Sequence, residues 1–169
     1  SGGPYVAVQA ATISGTSLTY GNKLEIATTH STWSSICHLG GNKYVATWNN
    51  NYSNNGTGQS CVLTVSGTSV SKGSNAQILS SELQFSHVVT VSSTKVVVCY
   101  RHNNTQDGYL KVGTISGTSL SWGSASSQVT STKRQELCYI GNDKIMFTYC
   151  DNSGPGRARI ATISGTSVS

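Results

Sequence analysis

Short apolar runs alternate with clusters of Gly, Asn, Ser and Thr along the whole chain. Runs such as Lys43-Tyr44-Val45-Ala46-Thr47-Trp48 and Lys95-Val96-Val97-Val98-Cys99-Tyr100 are rich in β-branched and aromatic residues, which suit a pleated, buried surface. No stretch long enough for a helix places apolar residues at i, i+3 and i+4. The pattern therefore predicts an all-β protein. Nearly continuous apolar runs, Ile145-Met146-Phe147 among them, predict strands buried on both faces. The polar clusters between runs are residues that tolerate positive φ and make hairpin turns.

One motif returns four times: Ile13-Ser14-Gly15-Thr16-Ser17-Leu18, Val65-Ser66-Gly67-Thr68-Ser69-Val70, Ile115-Ser116-Gly117-Thr118-Ser119-Leu120 and Ile163-Ser164-Gly165-Thr166-Ser167-Val168. Its glycines are spaced by 52, 50 and 48 residues, a period in the range of four-stranded propeller blades. Each unit divides into strands A to D, with this motif as the C–D turn. The N-terminal piece, residues 1–32, supplies only C (Tyr5 to Ile13) and D (Leu18 to about Ala27, interrupted at Tyr20-Gly21-Asn22). Three fuller units cover about 33–84, 85–134 and 135–169 of a single domain. Their A strands are expected at Trp33–Leu39, Phe85–Val91 and Glu136–Ile140. Their B strands are expected at Lys43–Trp48, Lys95–Arg101 and Lys144–Cys150. B–C loops follow at Asn49–Gln59, His102–Gly108 and Asp151–Gly156. The expected architecture is a β-propeller-like array of four-stranded antiparallel blades, about three and a half per chain, with a flatter β-repeat array as the alternative. A closed propeller needs roughly four to eight blades, so the chain is expected to work as a homo-oligomer or as part of a longer array.

Composition adds little chemistry. The chain has 169 residues, 10% of them charged, with a net charge of +5. The lysines are scattered, and Lys43, Lys95 and Lys144 share one repeat position, so the basic balance does not point to nucleic acid. No apolar stretch is long enough to span a membrane as a helix. The five cysteines leave at least one thiol without an intrachain partner and contain no C-x-x-C, so no metal or cofactor is expected. Cys37 and Cys138 fall at equivalent positions and are expected to fill a common apolar slot. Sequons begin at Asn51, Asn55 and Asn103 and fit a secreted glycoprotein or a virion-surface protein.

The segment from Val96 to Gly123, with Tyr100-Arg101-His102-Asn103-Asn104 and Val112-Gly113-Thr114-Ile115-Ser116-Gly117-Thr118-Ser119, resembles a repeat of uncharacterised marine microbial and phage tail-fibre-like proteins. The resemblance runs through nearly the whole chain, one copy per unit. It implies a propeller-like array on a secreted or virion surface, suspected of adhesion. A weaker resemblance links Ser116 to Trp122 with the sialidase Asp box, whose Asp is missing here. It implies the blade layout alone.

In a propeller the B–C and D–A loops share one face. That face would carry Trp33, Phe85, Arg101, His102, Asn104, Asp107, Asp151 and Arg157, the candidate ligand-binding residues. Planar amides and charges bond hydroxyl pairs, and aromatic rings stack on sugar faces. Trp33 and Phe85 are repeat-equivalent, so they read either as one stacking platform per blade or as packing between blades. Two facing carboxylates, as a glycosidase needs, would have to come from Asp107 and Asp151. The expected function is a non-enzymatic, multivalent, carbohydrate-binding or adhesive module with glycans or glycoprotein surfaces as partners. The alternatives are a fibre, matrix or coat component and, less favoured, a sialidase-like glycosidase.

Overall fold

A computed structural model describes residues 5–27, 29–50, 56–151 and 154–169. Among the described residues the chain is all-β, 71% strand and without helix. Eighteen strands follow in order among the described residues: β1 (Ala7–Val8), β2 (Ala11–Ser14), β3 (Ser17–Tyr20), β4 (Leu24–Glu25), β5 (Ser31–Gly40), β6 (Lys43–Asn50), β7 (Thr57–Ser66), β8 (Ser69–Lys72), β9 (Ala76–Leu79), β10 (Leu83–Ser92), β11 (Lys95–His102), β12 (Gly108–Ser116), β13 (Ser119–Trp122), β14 (Ser126–Val129), β15 (Thr132–Gly141), β16 (Lys144–Asp151), β17 (Gly156–Ser164) and β18 (Ser167–Val168).

Three antiparallel meanders form the three fuller units. Unit one is β5-β6-β7-β8 with β9 on β7, unit two is β10-β11-β12-β13 with β14 on β12, and unit three is β15-β16-β17-β18. The N-terminal unit is the β2–β3 hairpin, extended by the β1–β4 pair. Among the described residues no closed propeller is present. The A strands start a few residues earlier than the sequence reading placed them. The B–C connection of unit one also shrinks, because β6 runs through Asn50 and β7 begins at Thr57.

The C–D turns follow from one residue. Gly15, Gly67, Gly117 and Gly165 have φ of 58°, 58°, 62° and 59°, the left-handed region that a two-residue hairpin needs at its first central position. The outer strand, expected to be interrupted in the N-terminal unit but to run unbroken over about Ser69–Leu79 and Ser119–Val129, is broken in all three. It breaks at Gly21, Gly73 and Gly123, because the next unit's C–D turn is pressed against it there. A Cβ on Gly73 would overlap the carbonyl oxygen of Thr118 and lie 3.0 Å from its Cβ. Gly21 meets Thr68 and Gly123 meets Thr166 in the same way. The glycine is thus one half of a docking contact that repeats at every junction.

The core lies between units. Val97, Cys99, Leu110 and Val112 of unit two pack against Ile145, Phe147, Tyr149 and Ile163 of unit three. Val45, Val62 and Leu39 of unit one pack against Val96, Val98, Tyr100, Ile115 and Leu120 of unit two. Ile26 and Ala27 of the N-terminal unit pack with Ala46, Trp48, Cys61 and Leu63 of unit one. Each fully buried large side chain among these contributes roughly 1.5–3 kcal/mol. Each unit thus has a leading face toward the preceding neighbour and a trailing face toward the next.

Polar contacts repeat across the junctions. The Lys111 ammonium donates to the Ile78 carbonyl at 2.6 Å, and the equivalent Arg159 donates to the Gln128 carbonyl at 2.6 Å. Burial pushes the Lys111 ammonium below its ordinary range. Lys43 reaches the carbonyl of Gly117 at 2.8 Å. Asn49, wholly buried, accepts from the Leu83 N–H at 3.0 Å. The structure is therefore a stack of sheets joined face to face, in which each unit depends on its neighbours.

Candidate functional site

The A-strand starts, B-strand ends and C-strand starts share one end of every sheet, because the meanders are antiparallel and in register. All eight candidate residues lie at that end. They do not form one site.

At the junction of units one and two, the A strands carry bulges. The register of β5 slips between Thr32 and Ser35, and that of β10 between Gln84 and His87. A bulge re-aims side chains. It holds Trp33 at φ 53° and Phe85 at φ 49°, left-handed values that cost bulky residues of order 1–3 kcal/mol each. The two rings offset that cost by meeting, with centroids 4.2 Å apart and planes at 53°. The Ser86 hydroxyl donates to the Trp33 carbonyl and locks the two bulges together. Of the two readings for these repeat-equivalent aromatics, the contact is the packing between units, and Arg134 stands at the equivalent place in unit three.

A polar network caps this pair. Arg101 lies opposite Gln84 in the β10–β11 register. Its guanidinium carbon sits 5.7 Å from the Phe85 ring centroid, and its Nη1 donates to Gln84 Oε1 at 3.0 Å. Gln84 Nε2 donates in turn to Glu82 Oε1 and Asn103 Oδ1, both at 2.8 Å. Two donors shielded from solvent, Trp33 Nε1 and Arg101 Nε, have no hydrogen-bond partner among the described residues. The cluster offers aromatic surface, a guanidinium, a carboxylate and two amides in one place. The sequence reading named Trp33, Phe85 and Arg101. Gln84 and Glu82 join them only because the bulge and the strand register bring them there.

The other candidates serve the loops or a second cluster. His102 Nδ1 accepts from the Asn104 N–H at 3.2 Å. Its Nε2 lies 3.1 Å from the Ser81 hydroxyl, in the connection before β10, so both ring nitrogens are engaged. Asn104 takes part through its backbone, and its side chain is exposed. Asp107 accepts from the Ser131 N–H at 3.1 Å, linking units two and three. Asp151 pairs with Arg157 at 3.3 Å. Near them, Arg159 lies 5.8 Å from the Tyr149 ring centroid, and these four line an open depression of ≈ 440 Å³ with Gln128 and Thr130. Asp107 and Asp151 thus each have a partner of their own, the Ser131 N–H and the Arg157 guanidinium. Among the described residues, no three or more His, Cys, Asp or Glu side chains converge as metal ligands.

Asn51 and Asn55 lie outside the described residues. The side chain of Asn103 is half-buried and tied to Gln84. Cys37 is partly buried against the unit one–unit two core, whereas its equivalent Cys138 is exposed, none of the described residues covering it from the trailing side of unit three. The chain matches no family model and no curated protein.

Proposed function

We propose that the chain is a non-enzymatic, propeller-like binding module, acting outside the cell or on a virion surface, that recognises carbohydrate at the junction of units one and two. The observation that carries this reading is the Trp33–Phe85 pair with the Arg101–Gln84–Glu82–Asn103 network around it. Aromatic surface beside planar hydrogen-bonding groups is the combination that a pyranose ring uses: one face stacks and the edge hydroxyls bond. The strained φ values at both rings support the same reading, since such strain persists where the surroundings over-determine it and gathers at binding sites. Loops on a rigid sheet scaffold are also where binding groups commonly sit.

The test is a glycan array probed with the chain displayed at high valency, followed by titration of any hit against monomeric protein. Phe85→Ala and Arg101→Gln are each expected to weaken binding about 3- to 10-fold, the size of one stacking or cation–π contact. Asp151→Asn, in the separate unit-three cluster, should leave the affinity unchanged. Absence of any hit on a broad array at high valency would sink the carbohydrate reading.

A further inference from the structure

We infer that the trailing face of unit three is a docking surface for the leading face of the N-terminal hairpin of a second copy, in a head-to-tail contact. The warrant is the junction the chain already builds three times. On every leading face, one apolar residue of the C strand and its cross-strand partner on the D strand turn toward the preceding unit. These pairs are Val65–Val70, Ile115–Leu120 and Ile163–Val168. The members of the last two pairs are at most 9% exposed. The N-terminal hairpin carries the same pair, Ile13–Leu18, yet these side chains are 74% and 53% exposed.

The hairpin matches unit two most closely. There Ile115 and Leu120 are followed by Trp122, whose Nε1 reaches back to the Ser60 hydroxyl of unit one at 2.9 Å. In the hairpin the third position is Tyr20, 61% exposed. By the same register it would lie over Ala158, the unit-three counterpart of Ser60.

The trailing face shows the complementary gap. Val45–Val62 and Val97–Val112 are cross-strand pairs on β6–β7 and β11–β12, and all four side chains are wholly buried. The same pair in unit three is Met146–Ile160, 37% and 65% exposed. The sequence therefore places apolar residues at these junction positions of both open faces, and each face carries the pair that the fold buries at its other junctions. The hairpin has C and D strands only, so it would cover the outer part of the trailing face and leave the β15 side open. Because the two surfaces differ, the contact is heterologous. It closes into a ring if the rotation permits and otherwise extends as a filament.

The experiment is sedimentation velocity on the 169-residue chain over a wide concentration series, with Ile13→Glu blocking the leading face and Ile160→Glu blocking the trailing face. The parent is expected to rise from the one-chain mass of 17.7 kDa to two chains and beyond. Each variant alone is expected to stay at one chain, and an equimolar mixture is expected to give a two-chain species and nothing larger, since each complex then has one usable junction. Ile160→Val, which keeps the face apolar, should associate as the parent does, and circular dichroism checks that the Glu variants keep their strands. A parent that stays at one chain up to its solubility limit overturns the inference. So does self-association of either Glu variant at the parent's strength, because the contact would then use another surface.

Discussion

At the scale of single residues, position relative to the junctions decides what each side chain does. The five cysteines show this. Cys61 and Cys99 are buried, and burial pushes the Cys61 thiol up to about 11 and raises Cys99 as well. Cys138 and Cys150 are exposed. The thiolate is the nucleophile, so a raised value leaves almost none of it at mildly alkaline pH. Alkylation followed by peptide mass mapping on dilute native protein should therefore modify Cys138 and Cys150 and spare Cys61 and Cys99. All five should react once denaturant is added. Labelling of Cys99 in the native protein at the rate of Cys138 would contradict the packed junction between units two and three. Trp33 and Phe85 make the same point: their residue types advertise stacking, but the bulges decide that they stack on one another.

At the scale of elements, the repeating device is a turn and the glycine that receives it. Gly67 and Gly73 lie six residues apart and are required as glycine for different reasons. Gly67 needs a positive φ and has open space around it. Gly73 has no positive φ, but the carbonyl of Thr118 fills the place of a Cβ. Gly67→Ala is expected to cost about 1–2 kcal/mol through backbone strain alone. Gly73→Ala has to push unit two outward and is expected to cost about 1–3 kcal/mol. For a domain of this size each kcal/mol lowers Tm by about 2–4 °C. Thermal melts of both variants check the pair. The distinguishing readout is structural: Gly73→Ala should also disturb amide shifts around Thr118 in the next unit, whereas the effect of Gly67→Ala stays in its own hairpin.

At the scale of the whole molecule, the stack is quasi-one-dimensional, and stability is shared between nearest neighbours. Units one and two are covered on both faces, so β6 and β11 are buried in runs. Among the described residues unit three is covered on one face only, and β16 alternates buried with exposed along its length. The β2–β3 hairpin is exposed throughout. Native-state hydrogen exchange should follow this order, with β6 and β11 slowest, β16 intermediate and β2–β3 fastest. If chains dock head to tail, the hairpin and β17 should slow together as concentration rises, while β6 stays unchanged. Uniform protection along the chain would mean the units unfold as one block.

Much of the scaffold is written locally, and local chemistry can be read from the sequence alone. Apolar runs of strand length, Gly-Thr turns with a period near fifty and the lack of helical spacing determined an all-β chain of repeated meanders with a partial first unit. The candidate positions on the loop end were also legible, since strand order alone puts Trp33, Phe85, Arg101 and Asp151 there. What faces what was decided by tertiary structure. The breaks of the outer strand at Gly73 and Gly123 and the reach of Lys111 and Arg159 across junctions arise from contacts between units, and the union of Gln84 and Glu82 with Arg101 arises from the bulged β10–β11 register inside unit two. A one-residue bulge in each of two A strands, which no periodicity announces, decided between the two readings of Trp33 and Phe85 by turning them onto each other. Repeat similarity names which residues are equivalent, but only the packed faces reveal which equivalents are buried and which, at Ile13, Leu18, Met146 and Ile160, are left without a neighbour in the described chain.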